Sequence, residues 1–318
     1  MQLLRLAVST LSAALVVALV GAAPAQAAPP PLPVPYTFLT SAVIAGLAVN
    51  ADPPGANDFS CKPSSKHPNP VVLVHGLSGN KATNWQTYAP LLRNEGYCVF
   101  ALTYGQQSQL PAPYNQVFGG FTKMELSAAQ LKTFVAKVRK ATGAAKVDIV
   151  GHSEGTVVPN YYAKFLGGGA FIDKYVSIAP LWKGTNPAGL ATLSTLGTPF
   201  GLTPALGRAL EPYFASGPQL LTGSSFMNKM RSGGTPKVKG IRYTNIVTRY
   251  DELVLPYTSG IEAGMTNHVV QDFCAIDYAE HFQIVADPVA AALVLNALDP
   301  AHPRAVPCRL VLPFVGGL

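Results

Sequence analysis

Val147-Asp148-Ile149-Val150-Gly151-His152-Ser153-Glu154-Gly155 is the stretch on which the reading of this chain turns. Residues 147–150 read as a strand, and residues 156–166 carry a helical pattern that stops at Gly167-Gly168-Gly169. Between them lies G-x-S-x-G, in the strand–turn–helix context that a nucleophile elbow requires. Glycine is demanded on both sides because the turn is tight and a side chain there would strike neighbouring backbone. Ser153 then stands at the tip, at the positive end of the following helix, where developing negative charge is favoured.

Outward from the elbow the pattern is regular. Val71-Val72-Leu73-Val74 is a continuous apolar run, as expected of a strand buried on both faces. Trp85, Tyr88, Leu91 and Leu92 follow at helical spacing up to Gly96, and residues 98–102 form the next strand. Leu131, Phe134, Val135 and Val138 mark one face of a long helix closed by Gly143. Further strands are expected at 176–179, 243–248 and 268–273, and a last helix at 288–298 with proline in its first turn. Strands alternating with helices imply an α/β fold, a mostly parallel sheet with helices on both faces. Residues 182–240 break this rhythm. They are rich in Gly, Pro, Leu and Thr, with short helical patches at 205–210 and 226–230, and read as an inserted cap or lid.

Composition narrows the class. The chain has 318 residues, 48% of them hydrophobic and 12% charged, the reverse of a disordered sequence. The formal charge of +7 is scattered rather than clustered, so no nucleic-acid partner is expected. Residues 1–27 have the form of a signal peptide: Arg5, an apolar run over 6–20, and Ala25-Gln26-Ala27 as the cleavage site. A Pro-rich leader and N-terminal segment follows at 28–56, with five prolines in residues 28–35, and one domain is expected over 57–318. The expected product is a secreted, extracellular, monomeric protein. Four cysteines without a C-x-x-C pair fit export and allow three disulfide pairings. Cys61–Cys98 and Cys274–Cys308 is the favoured one, because each bond ties a flanking segment to a nearby strand. Each is worth about 4 kcal/mol in the chain-entropy model.

A serine hydroxyl is a weak nucleophile and needs a base, itself oriented by an acid. In this fold the partners follow in the order Ser, Asp/Glu, His. Asp251 comes just past the strand at 243–248, with Glu252 its nearest rival and Asp272 and Asp277 less well placed. Of six histidines, His67 precedes the sheet, His268 opens a strand and His302 belongs to the tail. His75 and His152 sit in the two glycine motifs, where the backbone rather than the ring is expected to serve. His281, in the loop before the last helix, satisfies both order and topology. An oxyanion needs preorganised backbone donors. The amide of Glu154 is one candidate, and that of Leu77, in His75-Gly76-Leu77-Ser78-Gly79, is the other.

Taken together, P-V-V-L-V-H-G-L at 70–77, G-H-S-E-G at 151–155, Asp251 and His281 resemble an α/β-hydrolase lipase. The nearer resemblance is to secreted actinobacterial class 2 lipases, and the more distant to fungal lipase B. Residues 57–63 (N-D-F-S-C-K-P) and Asn84-Trp85 also look typical of the bacterial group. The resemblance implies hydrolysis of acyl esters, including triacylglycerols, by a triad of Ser153, His281 and Asp251 without an organic cofactor. Glu154 departs from it, since many such lipases carry Gln there. No metal is required by this chemistry, and no carboxylate cluster resembles a calcium loop. The apolar cap residues, among them Leu190, Phe200, Leu210, Phe214, Leu220, Phe226 and Met227, suit either an acyl-binding wall that opens at a lipid–water interface or ordinary helical core. A cutinase-like polyester hydrolase, an acyltransferase and a non-catalytic lipid-binding protein are the alternatives.

Overall fold

Six parallel strands, β1 (Val71–Val74), β2 (Val99–Leu102), β3 (Val147–His152), β4 (Ile172–Ile178), β5 (Arg242–Val247) and β6 (Thr266–Val269), make the central sheet of the computed structural model. Their order is β2-β1-β3-β4-β5-β6. The described residues are 30–46, 48, 50–187 and 212–317. The expected signal peptide over 1–27 and residues 188–211 of the expected cap, including the helical patch expected at 205–210, lie outside them.

Strand side chains alternate between faces, and the sheet uses both. Val72, Val74, Phe100 and Ile149 point into one apolar cluster, shared with the helices α5 (Met124–Thr142) and α6 (Val158–Phe165). Val71, Leu73, Val150 and Val176 point into the other, shared with α3 (Tyr88–Asn94) and α10 (Pro288–Leu298). Helix α5 is amphipathic and closes on Gly143 at φ 78°, a left-handed cap that glycine adopts without a Cβ penalty. Nearly every residue of α10 is buried, so this helix reads apolar all round. Its start is set by Asp287, whose carboxyl accepts from the N–H groups of Val289 and Ala290 at 3.3 and 2.7 Å.

Two local readings are corrected. The expected strand at 268–273 ends at Val269, and Val270–Phe273 (α9) is a helical turn. That turn carries Gln271 beneath the loop after β5, where its amide accepts from Arg249 N–H and donates to Thr248 Oγ1 and the Asp277 carbonyl. The helical spacing expected from Trp85 begins only at Tyr88, in α3, because Asn80 starts a separate short helix, α2 (Lys81–Asn84), with a capping box and Trp85 is its C-cap. Part of the expected cap is core: Leu220, Phe226 and Met227, on α7 (Ser216–Leu220) and α8 (Ser225–Met230), pack with Val157, Val158 and Tyr161. The disulfides join Cys61 to Cys98 and Cys274 to Cys308.

Because all strands of the sheet run the same way, their C-terminal ends share one edge, and the loops leaving them meet there. β1 and the elbow after β3 touch closely at that edge. A Cβ on Gly155 would lie 2.0 Å from the Val74 carbonyl oxygen and 2.4 Å from that of His75. Gly155→Ala should therefore lower the thermal midpoint sharply or prevent folding, and a midpoint equal to the parent's would contradict this packing.

Asp277 and Asp287 form a buried carboxyl pair. Burial and then the Asp277 charge push the Asp287 carboxyl well above the usual range, and burial raises Asp277 as well. A carboxyl that binds its proton more tightly when folded contributes stability below about pH 4, and this is lost as pH rises through its folded value. Asp277→Asn keeps an acceptor for Ala279 N–H and removes the like charge. It should raise the thermal midpoint at pH 8, by roughly 2–4 °C per kcal/mol in a domain of this size, with little gain at pH 4. An equal shift at both pH values would contradict the coupling.

Candidate active site

The loops at the C-terminal edge bring Ser153, His281 and Asp251 into one chain of hydrogen bonds. Nε2 of His281 lies 2.9 Å from Ser153 Oγ. Its Nδ1 lies 2.9 and 3.0 Å from the two carboxylate oxygens of Asp251. Nδ1 facing a carboxylate must carry the proton, which leaves Nε2 as the acceptor for the serine hydroxyl. Asp251 and His281 are buried, while Ser153 is partly open.

Each member is positioned by its local structure. Ser153 has φ 54°, a left-handed conformation that a non-glycine residue holds only when its surroundings impose it. Here those surroundings are β3 behind and the turn Ser153–Thr156 ahead, with Gly151 packed against the backbone of Gly155 and Gly155 against that of Val74 and His75. Asp251 turns its Oδ1 back to accept from the N–H groups of Leu253 and Val254 at 3.0 and 2.7 Å. Its rival Glu252 serves the same histidine differently, accepting from the backbone N–H of His281 at 3.1 Å without touching the ring.

Leu77 sits in the loop after β1, beside the elbow, with Gly76 so close that a Cβ there would lie 3.1 Å from Ser153 Cβ. Neither the Leu77 nor the Glu154 N–H has an acceptor among the described residues, so both are free to receive an oxyanion. The loop is braced from outside: Ser78 N–H donates to the Gly119 carbonyl at 3.0 Å, and Gly119 N–H to the Gly79 carbonyl at 2.8 Å.

The expectation that His75 and His152 contribute only backbone is corrected. The His152 ring reaches the His281 carbonyl from Nε2 at 3.0 Å and the Asn84 amide from Nδ1 at 3.2 Å. Burial drives its pKa well below the usual range, so the ring is neutral and has a single N–H to give between the His281 carbonyl and Asn84 Oδ1. The His75 ring stacks on Tyr104, donates from Nδ1 to the Gly76 carbonyl and accepts the Tyr104 N–H at Nε2. Burial pushes it down to about 4. These rings and Asn84 brace the backbone around Ser153 and His281. Only the adjacency of the histidines to the glycine motifs, and the Asn84-Trp85 pair, could have signalled them. His67, His268 and His302 lie elsewhere, His302 bonded to Asp299. Among the described residues no group of three or more His, Cys, Asp or Glu side chains is arranged to hold a metal ion. None of their helices is long and apolar enough to cross a membrane.

Comparison with known proteins agrees with this architecture. Gastric triacylglycerol lipase of Bos taurus is 34% identical over 99 residues, 28% of this chain and 25% of that one. A triacylglycerol lipase of Pseudarthrobacter phenanthrenivorans is 30% identical over 99 residues, 30% of this chain and 28% of that one. The chain thus spans about a quarter of the length of the relatives it matches. The crystal structure of Aspergillus fumigatus lipase B superimposes with a TM-score of 0.57 at 18% identity, covering 80% of this chain and 57% of that one, and shares the fold. Lipase (class 2) matches residues 68–294, from just before β1 into α10. With most of the chain inside that match and the α/β-hydrolase sheet around it, the protein belongs to the class 2 lipase family.

Proposed function

We propose that this chain is an exported serine ester hydrolase, a lipase or carboxylesterase, that cleaves apolar acyl esters such as acylglycerols through Ser153, His281 and Asp251. The observation that carries the reading is the doubly bonded His281 ring, with the serine hydroxyl on one nitrogen and a buried carboxylate on the other.

In this mechanism Ser153 Oγ attacks the ester carbonyl carbon as His281 Nε2 takes its proton. The N–H groups of Leu77 and Glu154 donate to the oxyanion, each such donor being typically worth about 10²–10³ in rate. Asp251 holds the ring's tautomer and stabilises the imidazolium. When the tetrahedral intermediate collapses, the C–O bond breaks and the imidazolium gives its proton to the departing alcohol. A water then attacks the acyl-enzyme with His281 as base, and the acid leaves as Ser153 recovers its proton. None of these steps calls on an organic cofactor.

Two features support an apolar substrate. Tyr114, Phe118, Phe121 and Phe214 form a run of neighbouring rings, 6.0, 6.0 and 5.4 Å between successive centroids, beside the Gly119–Gly120 brace of the Leu77 loop. Leu253 and Leu255, next to Asp251, are exposed. Both features would meet acyl chains arriving at the edge, including those at a lipid–water interface. Export is supported by two disulfides that leave no free cysteine among the described residues.

Ser153→Ala should keep the thermal midpoint and lower turnover of a p-nitrophenyl acyl ester by at least about 10⁴-fold. Retained turnover would sink the assignment. Asp251→Asn should cost about 10⁴-fold in kcat, while Glu252→Gln, which still offers an acceptor to the His281 backbone, should cost far less. The reverse ranking would make Glu252 the acid.

A further inference from the structure

The side chain of Glu154 is not used by the mechanism above, yet it is fully buried directly behind the oxyanion donors. A Cβ on Gly120 would lie 3.1 Å from Glu154 Oε1 and 3.2 Å from Leu77 Cα, so the carboxyl abuts the Leu77 loop and its brace together. Its polar side-chain neighbours are the hydroxyls of Tyr104 and Ser216. Each of these has one proton, and each has already given it away. Tyr104 donates to the His75 carbonyl at 2.7 Å, and Ser216 donates to the Gly120 carbonyl. Both hydroxyls therefore present only lone pairs to Glu154, and neither of its oxygens has a donor among the described residues.

A carboxylate accepts and cannot donate, so an ionised Glu154 would face two acceptors in a buried site. Among the described residues no ion pair includes it. A carboxylic acid has the one proton that this arrangement lacks. We propose that Glu154 is a positioning residue that works as a neutral acid, donating its carboxyl hydrogen to the Tyr104–Ser216 hydroxyl pair and thereby clamping the oxyanion pocket. Burial favours the same form and outweighs the opposite pull of the two hydroxyls, leaving the pKa well above the usual range.

The clamp joins three segments. Tyr104, after β2, supports the β1 loop through the His75 carbonyl and ring. Its own carbonyl accepts the Gly120 N–H at 2.8 Å. Ser216, at the start of α7, fixes Gly120, and Ala215 N–H donates to the Phe121 carbonyl at 2.8 Å. The returning end of the cap is thus tied to the brace of Leu77, with Glu154 at the junction. Loss of the proton would place an unpaired negative charge behind two N–H groups meant for an oxyanion. That penalty falls on the transition state more than on bound ester, so kcat drops and KM changes less. The other titratable groups packed here are neutral from mildly acidic to alkaline pH. Tyr104 and Tyr175 are pushed up by burial, and His75 and His152 are pushed down.

This inference rests on Ser153 and its oxyanion donors having the roles proposed above, so its first readout does not depend on turnover. An infrared difference spectrum of ester-free parent minus Glu154→Gln should show the carbonyl stretch of a neutral carboxylic acid at pH 7, fading as pH is raised. A carboxylate band alone at pH 7 would overturn the proposal, whatever Ser153→Ala does to activity. The second readout is the pH dependence of kcat. Glu154→Gln, whose amide can still donate, should lose the alkaline fall and stay within about ten-fold of the parent at pH 7, whereas Glu154→Leu, with no donor, should lose at least about ten-fold more in kcat than in 1/KM. An alkaline limb unchanged in Glu154→Gln, or equal rates for the Gln and Leu variants, would overturn the clamp. Should the Leu variant fail to fold, the infrared band and the Gln profile decide.

Discussion

Two hydrogen bonds from one imidazole connect groups that the chain keeps far apart: His281 lies 128 residues from Ser153 and 30 from Asp251. Hydrogen bonding alone could not assemble them, since each bond nets only about 1 kcal/mol against water. The parallel sheet does. Strands buried on both faces hold one direction and register, and every loop that follows a strand emerges at the same edge. β1 supplies the Leu77 loop, β3 the elbow, β5 the Asp251 turn, and the chain after β6 returns through α9 to His281. α10, capped by Asp287, anchors the far side of the His281 loop in the apolar layer.

Around that bonded chain the buried polar groups are arranged to be satisfied without extra charge. His75 and His152 are held neutral by burial and spend their ring nitrogens on backbone around Gly76 and His281. Glu154, as a neutral acid, extends the same principle to the oxyanion side. In a site of low polarisability an unpaired charge acts over several ångströms, so keeping bystanders neutral reserves the field of the N–H donors for the reacting oxygen. The same logic governs Asp277 and Asp287, where two carboxyls share a buried space at the start of α10 and one proton relieves their repulsion.

Much of this was legible in the sequence because it rests on local signals. The elbow announces itself by glycine spacing between a strand and a helix. Asp251 and His281 follow from chain order, and the Cys61–Cys98 and Cys274–Cys308 bonds from the segments each joins. What escaped is long-range and side-chain specific. Residues 270–273 look like a continuing strand by composition, but Gln271 finds its partners on the β5 loop and turns the chain into α9. The rings of His75 and His152 gain their roles from Tyr104, Asn84 and His281, contacts that no periodicity encodes. For cap residues Leu220, Phe226 and Met227 apolar character suited an acyl wall and helical core alike, and only their packing with α6 decides for core.

Ester cleavage by this chain depends on the nucleophilicity of one hydroxyl, which covalent capture reads out. The full chain would be treated with a fluorophosphonate and the modified residue located by peptide mass mapping. One phosphonyl group per chain is expected, on Ser153, with labelling slowed when Asp251 is replaced by Asn. No adduct in the folded protein, or an adduct on another residue that persists in Ser153→Ala, would contradict it.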